Sequence, residues 1–250
     1  MRRGFSLVEL AIVLVILGLL VGGILAGRSL IRASELRSVG TDLQRYSTAI
    51  HAFRDKYFAL PGDMGNATQF WGTAATCPPT TANPYTSTAT CNGDGLGTVT
   101  NSDLEQYAVW HHLANAGLIE GTYSGADSSN GYYEAGVNCP VTRIDRVCAQ
   151  LRHRGVVTAS DNYFYEGSYG HAFNYGVPSG GGSNTTGFLS GADAWNVDTK
   201  IDDGLPAKGR LSVIEKTFRP NCTTSADAAL AEYWLSQPGS DCAFVYKTGY

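Results

Sequence analysis

Two acidic loops carry the oxygen-bearing side chains that a calcium ion prefers. The first runs from Asn92 to Asp103 and places Asn92, Asp94 and Asp103 at its positions 1, 3 and 12, with glycine at position 6. This spacing is similar to that of an EF-hand loop, although Leu96 stands where a ligand is usual and Asp103 replaces the usual glutamate. The alternative is a glycine-rich turn in which Asp103 caps the following helix. Both interpretations stay open at this point.

The second acidic loop spans residues 196–206. It contains three aspartates, Asp198, Asp202 and Asp203. Their carboxylates can converge on one cation, and calcium suits an all-oxygen set of ligands. The alternative is a helical turn that ends at Gly204, with Lys200 neutralising part of the charge. Calcium is therefore the one candidate cofactor, and no other cofactor is expected.

The histidines and glycines give no sign of a catalytic site. The chain contains no His-Glu-x-x-His metal motif, no Gly-x-Ser-x-Gly nucleophile elbow and no phosphate-binding glycine loop. The neighbouring His111 and His112 are predicted to lie half-buried on a helix surface. These patterns predict that the protein is not an enzyme.

Six cysteines all follow the N-terminal apolar region. Several pairings are open to them, and the simplest joins neighbours along the chain: Cys77–Cys91, Cys139–Cys148 and Cys222–Cys242. No Cys-x-x-Cys motif occurs, which disfavours zinc binding and thioredoxin-like chemistry. An even number of cysteines in an exported segment favours disulfides and an oxidising compartment.

Glu9 is an ionisable residue inside an otherwise apolar segment, residues 5–26. As a helix this segment extends roughly 33 Å, enough to cross a hydrocarbon core of about 30 Å. Arg2 and Arg3 precede it, which by the positive-inside rule places the N-terminus in the cytoplasm and exports the rest. The segment is longer than the apolar region of a secretory signal peptide. A carboxylate is costly in a membrane, so Glu9 is a candidate functional residue that needs a partner.

The run Gly-Phe-Ser-Leu-Val-Glu-Leu at residues 4–10, preceded by arginines, carries a family resemblance. It resembles the cleavage and methylation signature of type IV prepilins and type II secretion pseudopilins. In that family a membrane peptidase cuts after the glycine, the new N-terminal phenylalanine is methylated, and the apolar helices form the core of a filament. The resemblance implies that Gly4 is the cleavage residue, Phe5 the methylated N-terminus and Glu9 the carboxylate used in assembly.

The remaining chain must position these groups. An amphipathic helix is predicted for residues 27–60, ended by Pro61-Gly62-Asp63. Its apolar stripe consists of Leu36, Val39, Leu43, Tyr46, Ile50, Phe53 and Tyr57. A further helix is predicted over 106–118, strands over 147–151, 155–159, 171–177, 210–215 and 242–247, and a loop or hairpin tip over 179–186.

The predicted fold class is α+β and, by the resemblance, pilin-like. A long N-terminal α-helix, half in the membrane and half amphipathic, is expected to pack on an antiparallel β-sheet head with disulfide-bounded loops. The expected division is a leader peptide at 1–4, a transmembrane and filament-core helix at 5–26, the amphipathic helix at 27–60 and a globular head at 61–250. The loop at 196–206 also resembles one in pseudopilin-like proteins, whose relatives can bind calcium.

The resemblance predicts a structural subunit of a type IV pilus-like filament. The alternatives are a pseudopilin of a type II secretion system and a minor pilin with an adhesin-like head. Exposed tyrosines would favour an adhesin, and buried ones would serve the core. The relevant tyrosines are Tyr123, Tyr132, Tyr133, Tyr163, Tyr165, Tyr169 and Tyr175.

The expected partners are prepilin peptidase, other copies of the chain or other pilins, and the bacterial inner membrane before assembly. A net charge of −4 predicts no nucleic-acid partner. The precursor is expected in the inner membrane with its N-terminus cytoplasmic and its head periplasmic. The assembled filament is then extracellular or periplasmic.

Overall fold

In the computed structural model, one long helix packs on an antiparallel sheet. The structure describes residues 6–100, 105–128, 131–179, 183–214 and 221–249. The helices are α1 (Leu7–Tyr57), α2 (Ala67–Trp71), α3 (Glu105–Asn115) and α4 (Gly191–Ile201). The strands are β1 (Cys148–Val157), β2 (Gly167–Ser179), β3 (Ser183–Thr186), β4 (Leu211–Val213) and β5 (Phe244–Lys247). The α+β fold with a long N-terminal helix is confirmed.

Helix α1 is continuous over 51 residues, or about 77 Å. Ser6 caps its N-terminus: the Ser6 hydroxyl accepts from the Val8 N–H at 3.3 Å, and the Glu9 carboxylate accepts from the Ser6 N–H at 2.8 Å. This reciprocal pair is a capping box. At the other end Phe58 takes a left-handed conformation, with φ of 53°, and its N–H donates to the carbonyl of Arg54. Pro61 follows shortly after, where a helix cannot continue.

The two halves of α1 differ in what covers them. Every large apolar side chain from Leu7 to Ile31 is exposed. The second half instead buries one stripe against the head, made of Leu36, Val39, Leu43, Tyr46, Ala49, Ile50 and Phe53. The predicted apolar stripe is therefore the docking face of α1.

The sheet has the strand order β1-β2-β5-β4, with β3 paired to β2, and its pairs are antiparallel. Two predicted strands, 147–151 and 155–159, are one strand, β1, with a bulge at Gly155. Gly155 has a φ of 62°, which glycine adopts without strain. The predicted loop or hairpin tip at 179–186 is the β2–β3 hairpin, of which residues 180–182 lie outside the described residues.

Helix α3 contacts both α1 and the sheet. The Trp110 ring is 4.9 Å from that of Tyr46 on α1, and its indole N–H donates to the Ala149 carbonyl on β1 at 3.1 Å. All residues from Glu105 to Leu113 are buried. The prediction that His111 and His112 lie half-buried on a helix surface is therefore wrong, because α3 is covered on every side.

Helix α4 packs across α1 at Gly40. A methyl group added to Gly40 would lie 3.2 Å from the side chain of Ile201. The absence of a side chain at Gly40 therefore allows the close crossing of the two helices. The end of α4 brings the second acidic loop onto the surface of the head.

Candidate functional site

The apolar half of α1 presents a run of exposed apolar side chains from Leu7 to Ile31. Among the described residues, α1 is the one helix long and apolar enough to cross a membrane. Glu9 lies in its first turn, where a negative charge also interacts favourably with the helix dipole. Gly4 and Phe5 lie outside the described residues. Their roles in cleavage and methylation, and that of Glu9 in assembly, stay predictions.

The first acidic loop places Asp94 next to Asp63 and Glu105, which the EF-hand-like spacing does not include. Carboxylate oxygens of Asp63, Asp94 and Glu105 all lie within 4.8 Å of one another. The Asn92 side-chain oxygen accepts from the Thr68 N–H at 2.9 Å, in the first turn of α2. Asp103 lies outside the described residues. The loop therefore contributes Asp94 to an acidic cluster whose other members come from elsewhere, and the EF-hand-like set stays a prediction.

This cluster, Asp63–Asp94–Glu105, is largely buried. Asp63 and Glu105 are each 3% exposed, whereas Asp94 faces solvent. Burial, together with the neighbouring carboxyl groups of Asp94 and Glu105, raises the pKa of Asp63 to about 6. Burial also raises the pKa of Glu105. The protein thus holds like charges together in a site that disfavours charge.

The second acidic loop forms a cluster of its own. Asp198, Asp202 and Asp203 offer oxygens within 4.8 Å of one another. Asp198 is fully buried and accepts from the Tyr233 hydroxyl at 2.8 Å. Burial raises the pKa of Asp198 to about 7, and Asp203 and Asp202 add to the effect. Helix α4 ends at Ile201, which also agrees with the alternative interpretation of this loop as a helical turn. Calcium binding here stays a prediction.

Three disulfides staple the loops of the head. They join Cys77 to Cys91, Cys139 to Cys148 and Cys222 to Cys242, and the described residues contain no free cysteine. Each bond closes a loop between cysteines that are neighbours along the chain. The bonds therefore restrain three loop segments of the head.

Most of the seven central tyrosines belong to the core. Tyr132 and Tyr163 are exposed, and the other five are buried. Several of the buried hydroxyls are hydrogen-bonded; that of Tyr175, for example, donates to the Asp42 carboxylate on α1 at 3.1 Å. The burial of these rings supports core filling and gives no support to an adhesin-like surface at this place.

Asp63 and Glu105 are the site residues that sequence reasoning missed. From the sequence, Asp63 is predicted only as part of the turn that ends α1, and no pattern predicts a site at Glu105. One signal was present: the Pro-Gly-Asp turn brings an acidic residue into a segment that is otherwise apolar. Nothing in the sequence connects it to a loop about 30 residues further along the chain.

Comparison with known proteins gives a match for the start of the chain. Residues 1–25 match the family model described as the prokaryotic N-terminal methylation motif. No curated protein and no solved structure matches the chain. A long apolar N-terminal helix packed on an antiparallel sheet defines a pilin-like class of protein. Within that class, the chain carries the type IV pilin and pseudopilin signature and fits a membrane-anchored precursor.

Proposed function

We propose that this chain is a prepilin-like structural subunit, cut between Gly4 and Phe5 and assembled through α1 into a type IV pilus-like filament. The observation that carries the proposal is the division of α1 into a docked half and an uncovered apolar half. The methylation motif at residues 1–25 lies at the start of the uncovered half. A soluble protein would be expected to cover so large an apolar surface.

Two environments can cover this surface in turn. Burial of apolar area contributes about 25 cal/mol per Å², so each exposed leucine or valine on α1 favours removal from water. The lipid bilayer provides that environment for the precursor. Packed apolar helices of neighbouring subunits provide it in the filament.

Glu9 gives this packing a defined register. Cleavage after Gly4 creates an amine on Phe5, which stays able to carry a positive charge after methylation. That amine of one subunit neutralises Glu9 of its neighbour, and any register that leaves Glu9 unpaired is penalised. The hydrogen bond from the Ser6 N–H does not prevent this, because a carboxylate accepts several donors.

The test compares Glu9→Gln with Glu35→Gln in cells that assemble filaments from the full chain. Glutamine at residue 9 keeps the capping acceptor and removes the charge. We expect Glu9→Gln to be membrane-inserted and cleaved normally but at least tenfold depleted from sheared filaments. Glu35→Gln makes the same chemical change further along α1, where the partner is Arg32 of the same chain. Arg32 keeps its pair with Asp193, so this variant should assemble like the wild type.

Equal filament incorporation of the two variants would contradict the proposal. Intact-mass analysis that finds Met1 retained on the mature protein would also contradict it. The amount of wild-type chain in the sheared fraction bears on the kind of subunit: a major pilin dominates that fraction, whereas a pseudopilin is nearly absent from it.

A further inference from the structure

We propose that Asp63, Asp94 and Glu105 bind a calcium ion that joins the end of α1 to the Cys77–Cys91 loop and to the start of α3. The three residues come from three separate segments. Asp63 lies in the turn after α1, Asp94 follows the disulfide-bonded loop, and Glu105 is the first residue of α3. A shared cation would therefore tie together segments that are distant along the chain.

The arrangement of the oxygens points to a cation. Asp63 is 3% exposed, and its Oδ1 atom is buried without a hydrogen-bond partner. Asp63 belongs to a cluster in which each of the three residues offers a carboxylate oxygen within 4.8 Å of the others. In the part of the chain that the structure describes, none of the three carboxylates forms an ion pair. A buried acceptor that lacks a donor is strongly unfavourable unless something positive faces it.

Hydrogen bonds orient the three carboxylates. Asp63 Oδ2 accepts from the Gly97 N–H at 3.0 Å, and Asp94 Oδ1 accepts from the Leu96 N–H at 2.9 Å. Glu105 accepts from the Asp94 N–H at 3.2 Å. These bonds hold the side chains in place before any ion arrives, as ordered ligands in a metal site require.

The backbone forces the segments into contact. The Gly93 N–H donates to the Met64 carbonyl and the Gly95 N–H to the Asp63 carbonyl, each at 3.0 Å. A Cβ atom on Gly93 would overlap the backbone of Asp63. The absence of a side chain at Gly93 therefore lets the acidic loop approach Asp63 closely.

The donor set selects the metal. All three side chains offer oxygen, and no cysteine or histidine belongs to the cluster, which favours a hard cation over zinc or copper. Calcium takes roughly six to eight oxygen ligands in flexible geometry, which three carboxylates and water can supply. A cavity of about 330 Å³ borders Asp94 and Glu105 on one side of the cluster.

The test measures calcium binding to the full chain in detergent after removal of metals with a chelator. Isothermal titration with calcium chloride gives affinity and stoichiometry, and circular dichroism gives the melting temperature with and without calcium. We expect calcium to raise the melting temperature of the wild type. We expect Asp63→Asn and Asp94→Asn each to bind at least one equivalent fewer, or at least tenfold more weakly, and to lose most of that rise.

The control is Asp145→Asn, which removes one negative charge from an exposed position outside the cluster. It should keep the wild-type affinity, stoichiometry and melting response. Asp94 is exposed, so Asp94→Asn tests the site with little risk to folding. In the chelator, Asp63→Asn should melt no lower than the wild type, because it relieves repulsion among the carboxylates.

Two results would overturn the proposal. One is a wild type that neither binds calcium nor changes its melting temperature. The other is wild-type calcium affinity and stoichiometry in both cluster variants, even if their melting temperatures fall, because the carboxylates would then be structural groups only. These variants would leave calcium binding at Asp198–Asp202–Asp203 unchanged, so the experiment distinguishes the two acidic clusters.

Discussion

Arg32 on α1 pairs with Asp193 in the first turn of α4. The Arg32 Nη2 and Nε atoms lie 2.6 Å and 3.2 Å from the same Asp193 carboxylate oxygen. This ion pair lies just after Ile31, the last large apolar side chain on α1 that is exposed. It therefore marks the point along α1 at which contact with the head begins.

We expect Asp193→Asn to loosen this junction with little effect on global stability. The two side chains are 37% and 27% exposed, and pairs of this kind contribute at most about 1 kcal/mol. Hydrogen exchange should show faster exchange of backbone amides at residues 28–36, with a smaller difference at high salt. Asp145→Asn is the control. A fall of several kcal/mol in the free energy of unfolding would contradict this assignment.

Gly93 and Gly65 form a matched pair for testing the close approach at the acidic cluster. A Cβ atom on Gly93 overlaps backbone atoms, whereas one on Gly65 would meet nothing closer than 3.8 Å. Overpacking of this kind destabilises by about 1–3 kcal/mol. We therefore expect Gly93→Ala to lower the free energy of unfolding in denaturant titration by about 2 kcal/mol or more. Gly65→Ala should change it by less than about 0.5 kcal/mol, and equal effects would contradict the geometry.

His112 should make the protein less stable as the pH falls. It is fully buried; its Nδ1 accepts from the Gly62 N–H at 3.0 Å, and Nε2 lies 2.9 Å from the Thr90 hydroxyl. Burial, with a smaller contribution from His111, lowers the pKa of His112 to about 3. An unfolded histidine has a pKa near 6.5. Between these values the unfolded chain binds more protons, so stability is lost as the pH drops from about 6.5 towards 3.

The measurement is the free energy of unfolding at several pH values for the wild type and for His112→Gln, which does not titrate in this range. The difference between the two curves should change by roughly 4 kcal/mol across the window, at about 1.4 kcal/mol per pKa unit. This difference also removes the contributions of Asp63 and Asp198, which act in the opposite direction. His51→Gln, at an exposed histidine on α1, should follow the wild-type curve. Parallel curves for His112→Gln and the wild type would contradict the prediction.

The disulfides should stabilise in order of loop length. Cys222–Cys242 spans 20 residues and Cys139–Cys148 spans 9. Loop-closure entropy gives about 3.3 kcal/mol for the longer and about 2.6 kcal/mol for the shorter. Double replacement by serine should lower the melting temperature more for the Cys222–Cys242 pair. The reverse order would mean that native contacts, not loop entropy, set the difference.

The buried face of α1 is predictable from the sequence because it follows from the spacing of apolar residues along one helix. The stripe from Leu36 to Phe53 repeats at steps of three and four, and the structure buries it as that spacing requires. Pro61 predicts that the helix ends by residue 60, and in the structure it ends three residues earlier, at Tyr57. Periodicity and a proline therefore suffice where the structure is set by neighbouring residues.

Other features depend on tertiary contacts that one sequence does not reveal. The sequence predicts only the final turn of helix α4, because the start of the helix is set by the Ser190 cap and by its packing across Gly40 on α1. His111 and His112 are buried because the head covers both sides of α3. The Asp63–Asp94–Glu105 cluster forms because Gly93 lets two backbones touch, and no spacing rule connects Asp63 to Glu105.

The continuity of α1 has a mechanical consequence. Long helices curve gently, and sharp kinks arise at prolines, at glycine or serine pairs or at bulges. Helix α1 contains no proline and runs unbroken from Leu7 to Tyr57, through Gly22 and Gly23. A pull on the apolar half is therefore transmitted along the rod instead of being absorbed within it. The load enters the head where α1 is docked, from the Arg32–Asp193 pair to the end of the buried stripe at Phe53. Axial tension therefore passes from the rod to the head as shear along this packed face.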